Sequence, residues 1–169
     1  MDVRLALVQG GVPPDDVRLR QILPDGGSLR EMLLRSISEE RDIRAGTVQA
    51  HSSLEVHRNG AWTWKYQVHD NAKIVGDNYA IGVLFLYHSD ATRHCLFDEG
   101  VLGALLGNSD YSTTKSGLDE WIHSNWWNVL RSGTQYNLHR SDNTIEGAME
   151  VLFGPALGVG YVLQYLNTK

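Results

Sequence analysis

Seven histidines are more than a chain of this size usually carries, and imidazole is the side chain whose ordinary pKa suits acid–base or metal chemistry near neutral pH. His51 and His57 fall on the polar face of one expected strand, Glu55 lies between them, and His69 on the neighbouring strand faces the same way. Three imidazoles would then line one surface. His57 and His69 fall near opposite ends of that hairpin, so one metal ion could not reach both, and no metal site is expected. The plainer alternative for the set is a solvated polar face outside a half-buried sheet. His88, His94 and Cys95 follow a buried strand, but their spacing matches no zinc pattern. As a nucleophile Cys95 would need His88, His94 or a more distant histidine as its base; otherwise it is a buried or incidental thiol. His88 or His123, beside an Asp or Glu, is the candidate acid or base of a small enzyme. No Gly-x-Gly-x-x-Gly lies between strand and helix and no Walker motif occurs, so no nucleotide cofactor is expected by those routes.

The five tryptophans are the second set that could act. Trp62 and Trp64 share a strand, and Trp121, Trp126 and Trp127 lie close together. Tryptophan favours boundaries with one apolar and one wet side, such as lipid headgroups, sugars and protein partners. The segment Ser124-Asn125-Trp126-Trp127-Asn128-Val129 resembles the Trp-Trp segment of the actinoporins, the cytolysins of sea anemones. Three further stretches are similar in the same order: the amphipathic residues 28–40, Gly60-Ala61-Trp62-Thr63, and Ile81-Gly82-Val83-Leu84-Phe85. The resemblance implies a β-sandwich with flanking helices that binds phosphocholine headgroups and oligomerises into a pore, with Trp126 and Trp127 at the lipid interface.

These residues need elements to position them. Residues 1–27 read as turns after a short strand at 3–8, because Gly and Pro pairs interrupt them. Ser28-Leu29-Arg30-Glu31 forms a capping box, and Leu29, Met32, Leu33 and Ile37 at helical spacing predict a helix to about Glu40. Residues 47–57 and 61–70 alternate as two strands. A two-residue turn at Asn59-Gly60 would put their apolar sets on opposite faces. A three-residue loop with a left-handed Gly60 pairs Val56 with Trp62 and Leu54 with Trp64 and brings the sets together. Residues 79–88 read as a central strand buried on both faces, and residues 98–107 as a short helix. Residues 116–133 carry Leu118, Trp121, Ile122, Trp126, Val129 and Leu130 on one helical stripe, with Trp127 off it and Gly133 as the stop. Residues 145–153 and 157–166 read as a closing pair of strands, and Gly158 and Gly160 as glycines that permit close packing or a bulge.

Composition bounds the answer. The 169 residues, 42% hydrophobic and 21% charged, suit one compact domain, 1–169. The fold expected is α+β, with an antiparallel β-rich, sandwich-like core and two or three flanking helices. A net charge of −5 without a basic run disfavours nucleic acid. No apolar stretch approaches the roughly 20 residues of a membrane-spanning helix. The first residues carry neither the basic flank nor the cleavage pattern of a secretory signal. One cysteine excludes an intrachain disulfide, which fits the cytoplasm or secretion without disulfides. Three functions follow. The first is a non-enzymatic protein, actinoporin-like or lectin-like, binding a lipid headgroup or carbohydrate through exposed Trp126 and Trp127. The second is a small cyclase, isomerase or hydrolase with a His and Asp/Glu pair. The third is a homo-oligomer joined through the C-terminal strands.

Overall fold

The computed structural model describes residues 36–71, 77–86, 92–103, 109–157 and 162–166. It is mostly antiparallel β structure, with three short α-helices among the described residues. Strand β1 (Ser36–Ala45) turns back at Gly46-Thr47 into β2 (Val48–His57), and β2 pairs with β3 (Ala61–Asp70). The loop between β2 and β3 is the bulged one. Val56 faces Trp62 and Leu54 faces Trp64, Gly60 has φ 89°, and its N–H donates to His57 O at 3.0 Å. Strand β6 (Ser109–Leu118) completes this sheet in the order β1-β2-β3-β6.

The second sheet has the order β7-β4-β5-β8, formed by β4 (Asn78–Phe85), β5 (Thr92–Val101), β7 (Thr134–Ser141) and β8 (Val162–Tyr165). Its pairings are antiparallel except β5 with β8, which is parallel. Residues 79–85 of β4 are buried without interruption, as their near-continuous apolar run requires of a strand covered on both faces. One cluster joins Leu54, Val56, Trp62, Trp64 and Tyr66 of the first sheet to Tyr79, Ile81, Val83, Phe85 and Leu96 of the second. On the far side of the second sheet, Ala80, Leu84 and Cys95 pack against Ala148, Leu152 and Phe153 of a helix.

Local signals mislead at four places. The predicted helix at 28–40 lies outside the described residues as far as 35, and residues 36–40 begin β1. There Ile37 and Glu39 alternate inward while pairing with β2, a non-local gain that outweighs helical propensity. The helix expected at 98–107 is instead the end of β5 as far as Val101. Within 116–133, residues 116–118 finish β6, and the helix starts later, capped by Asp119. Asp119 Oδ1 accepts from the N–H groups of Trp121 and Ile122 at 2.8 and 3.2 Å, giving α1 (Glu120–Ser124). After Asn125 comes α2 (Trp126–Ser132), ended by Gly133 at φ 69°.

The last correction concerns the closing strand pair. Residues 148–153 form α3 (Ala148–Phe153), because Ala148 and Leu152, one turn apart, cover the second sheet together with Phe153. Val162–Tyr165 is a strand, but its partner is β5. An oligomer interface made of paired C-terminal strands therefore loses that pair. The strand expected at 3–8 and Gly158 and Gly160 lie outside the described residues.

Two polar braces tie the sheets together. Asp77, buried, accepts Thr47 Oγ1 at 2.9 Å and Arg140 Nε at 2.7 Å, while Arg140 Nη2 reaches Asp142 at 2.6 Å. The Arg140 guanidinium, and after it the Thr47 hydroxyl, hold the Asp77 carboxyl below its usual range. At the opposite edge the Tyr66 hydroxyl donates to Asp98, which also pairs with Lys115 Nζ at 2.7 Å.

Candidate functional site

On the outward face of the first sheet, a cleft of about 530 Å³ is lined chiefly by Asp42, Arg44, Gln49, His51, Gln67 and His69. Alternation along the strands builds it. Inward positions of β2 and β3 carry Leu54, Val56, Trp62 and Trp64, so the intervening residues must face water. Register then sets the rows: Asp42 beside His51 beside Gln67, and Arg44 beside Gln49 beside His69 beside Asp110. The centre is a two-by-two tile of glutamines and histidines, with directly opposed residues about 5 Å apart.

Each histidine leans on a carboxylate to its own side. His51 Nδ1 lies 2.8 Å from Asp42 Oδ1, and among the described residues nothing bonds to His51 Nε2 or to the amides of Gln49 and Gln67. With Nδ1 carrying the proton toward Asp42, Nε2 presents a free acceptor to the cleft. His69 differs. Its Nδ1 lies 2.5 Å from Asp110 Oδ1 and its Nε2 lies 2.9 Å from Asn71 Oδ1. The Asn71 amide is oriented by its other end, where Nδ2 donates to Thr47 O at 3.5 Å. Two acceptors are met by two N–H donors, so this setting favours the imidazolium form of His69. Its pKa is raised first by the Asp110 bond and next by the Asn71 bond.

A raised folded pKa means the associated stability is complete below the unfolded value of about 6.5 and is lost as pH rises through the folded value. The Cε1 proton resonance of His69 should therefore titrate above that of a free imidazole, and Asp110→Asn should bring it down. A His69 midpoint at or below the free value, unchanged by Asp110→Asn, would refute the assignment.

The histidines singled out from sequence are distributed as follows. His51, His57 and His69 share the outward face as expected, but His57 sits at the far end beside Glu55, Nε2 to Oε1 3.3 Å, and does not line the cleft. His88 lies outside the described residues. His94 is buried and stacks on Trp121, ring centroids 3.7 Å apart. Cys95, next along β5, points to the opposite face of the sheet, so His94 cannot serve it as a base. The Cys95 Sγ donates to Gln164 O at 3.6 Å, and burial pushes its thiol up to about 12. It is a core thiol rather than a nucleophile. His123 is exposed, with Nδ1 2.9 Å from Arg58 O, which ties α1 to the β2–β3 loop. No carboxylate meets it among the described residues.

The tryptophan pair separates. Trp126 is 3% exposed and belongs to the core, whereas Trp127 is 46% exposed. The helical stripe, with Trp126 on it and Trp127 off it, is what α2 shows. A site needing both indoles accessible is left with one. No described helix is long and apolar enough to cross a membrane, and among the described residues no group of three or more His, Cys, Asp or Glu could hold a metal ion.

Sequence reasoning found His51 and His69 but missed Asp42, Gln49, Gln67 and Asp110. Gln49 and Gln67 were within reach, since they share the parity of the histidines on strands correctly read. Asp42 and Asp110 belong to β1 and β6, whose neighbours give no clear period-two signal. Set against known proteins, the chain matches no family model, no curated protein and no solved structure.

Proposed function

We propose that this chain is a non-enzymatic, lectin-like binding protein, in which two sheets stacked in a sandwich-like arrangement present the outward cleft of the first sheet to a carbohydrate. The observation that carries this reading is the tile itself: the amides of Gln49 and Gln67 and His51 Nε2 are side by side and free of internal partners. Sugar hydroxyls both donate and accept, so a paired amide and a lone acceptor suit vicinal hydroxyls. The continuous ladder of β1, β2 and β3 holds those groups in place before the ligand arrives, which reduces the ordering cost of binding.

The openness of the cleft favours binding over turnover. The side chains of Asp42 and His51 are 89% and 54% exposed, so nothing there excludes water from a reacting centre. Both ring nitrogens of His69 are already engaged by Asp110 and Asn71, and no hydroxyl or thiol bonds to either ring. The Asp42–His51 pair favours a second reading, general-base hydrolysis of the bound ligand, because Asp42 orients the ring through Nδ1 and leaves Nε2 facing the cleft.

The test is a glycan panel screened with the pure protein, followed by calorimetry on any oligosaccharide that binds. Gln67→Ala and Gln49→Ala should each weaken binding about tenfold, the worth of one or two lost hydrogen bonds, with the thermal midpoint unchanged. Absence of binding across the panel, or binding indifferent to both substitutions, would sink the reading. Breakdown of the bound oligosaccharide that stops with His51→Ala would favour the second.

A further inference from the structure

Strand β6 is an edge, with β3 on one side and, among the described residues, no strand on the other. Edges of this kind are usually protected by short length, proline, a bulge or free charge. The other edges have such protection. Strand β1 carries Glu40, Arg41 and Arg44, β7 lies against β1, and β8 has four residues. Strand β6 has none of it. Its ten residues pair with β3 in unbroken register from Ser109 to Leu118, without proline or bulge. Both of its charged residues have partners within the chain, Asp110 in His69 and Lys115 in Asp98. What remains is a Ser/Thr-rich strand with Tyr111 42% and Leu118 51% exposed.

We propose that β6 pairs with β6 of a second copy of this chain, antiparallel about a two-fold axis through Thr113, so that the first sheet runs on as eight strands across the dimer. The sequence of β6 is self-complementary in this register. Ser112 faces the partner's Thr114, Asp110 the partner's Ser116, and Tyr111 the partner's Lys115. No charge meets its own kind, and the hydroxyl pairs are of the sort that stabilise neighbouring strands. A foreign strand of opposite charge has little to add here, because Asp110 and Lys115 are each already engaged by a side chain of this chain. The isologous arrangement also closes on itself and ends at two copies.

Sedimentation velocity of the full chain across the micromolar range tests the proposal, with charge placed on the outward, exposed positions 112 and 114. Wild type should show a concentration-dependent dimer. The double variant S112K/T114K sets lysine against lysine twice and should raise the dimer dissociation constant at least about tenfold. The charge-complementary S112K/T114E sets lysine against glutamate twice and should restore the dimer. Circular dichroism and thermal midpoint establish that each variant keeps the monomer fold. A wild type that stays monomeric throughout, a dimer that survives S112K/T114K unchanged, or a folded S112K/T114E as weak as the double lysine would each overturn it.

Discussion

Trp64→Ala should destabilise the protein by about 3–5 kcal/mol, the range for removing a large aromatic from a packed core. Trp64 is fully buried at the centre of β3, with its ring centroid 4.7 Å from that of Tyr66. Its indole N–H donates to Ser52 Oγ at 2.9 Å, on the neighbouring strand. Truncation opens a cavity between the sheets and removes the donor to a buried hydroxyl in the same step. For a chain of this size that corresponds to a fall in melting temperature on the order of 10 °C. Trp64→Phe keeps much of the ring and loses the hydrogen bond, so it should cost less than the alanine variant. Urea unfolding of the three proteins measures both steps. A loss under about 1 kcal/mol for Trp64→Ala would mean that the core does not depend on this ring.

Gly82→Ala is expected to destabilise by about 1–3 kcal/mol, although in a strand interior alanine is ordinarily the better residue by roughly 0.5–1 kcal/mol. The difference in sign is the test. Gly82 lies in the middle of β4, under the side chains of α3. An added Cβ would sit 2.4 Å from Phe153 Cζ, 2.9 Å from Leu96 O and 3.2 Å from Leu152 Cδ1. The phenyl ring could shift; the carbonyl of β5 could not without disturbing the ladder. Phe153→Leu in the alanine background should therefore recover part of the loss and not all of it, giving a coupling energy in a double-mutant cycle. A stabilised Gly82→Ala would show that α3 does not seat its phenyl ring against this glycine.

Where a segment's own alternation carries its burial, the sequence could be read. The β2–β3 hairpin was legible down to its register, because only one loop length brings Leu54 and Val56 to the same face as Trp62 and Trp64. Strand β4 announced itself by an unbroken apolar run, and the α2 stripe separated Trp126 from Trp127. Strands β1 and β6 could not be read this way. Glu39 is buried in β1, its carboxylate accepting from Thr134, so the inward row there is not uniformly apolar. In β6 the inward Lys115 is satisfied by Asp98 of the other sheet. Those polar inward positions acquire their partners only once distant strands are in place. For the same reason both carboxylates of the candidate site were hidden, since Asp42 and Asp110 stand on the two strands without a clear period.

The order in which the sheets take up the chain has a consequence for how the protein folds. The first sheet uses β1, β2 and β3 and then waits for β6, which comes after β4 and β5 of the second; the second in turn waits for β7 and β8. Neither sheet is a contiguous stretch of sequence, so any fragment that contains one whole sheet also carries strands of the other. The pairing of Trp62 with Gly117 and of Cys95 with Tyr165 closes long loops before it is rewarded. Folding should accordingly be slow for the size, on the order of milliseconds to seconds, and unfolding a single cooperative step. Ligand held on the first sheet would then protect the second from proteases as well, because neither opens without the other.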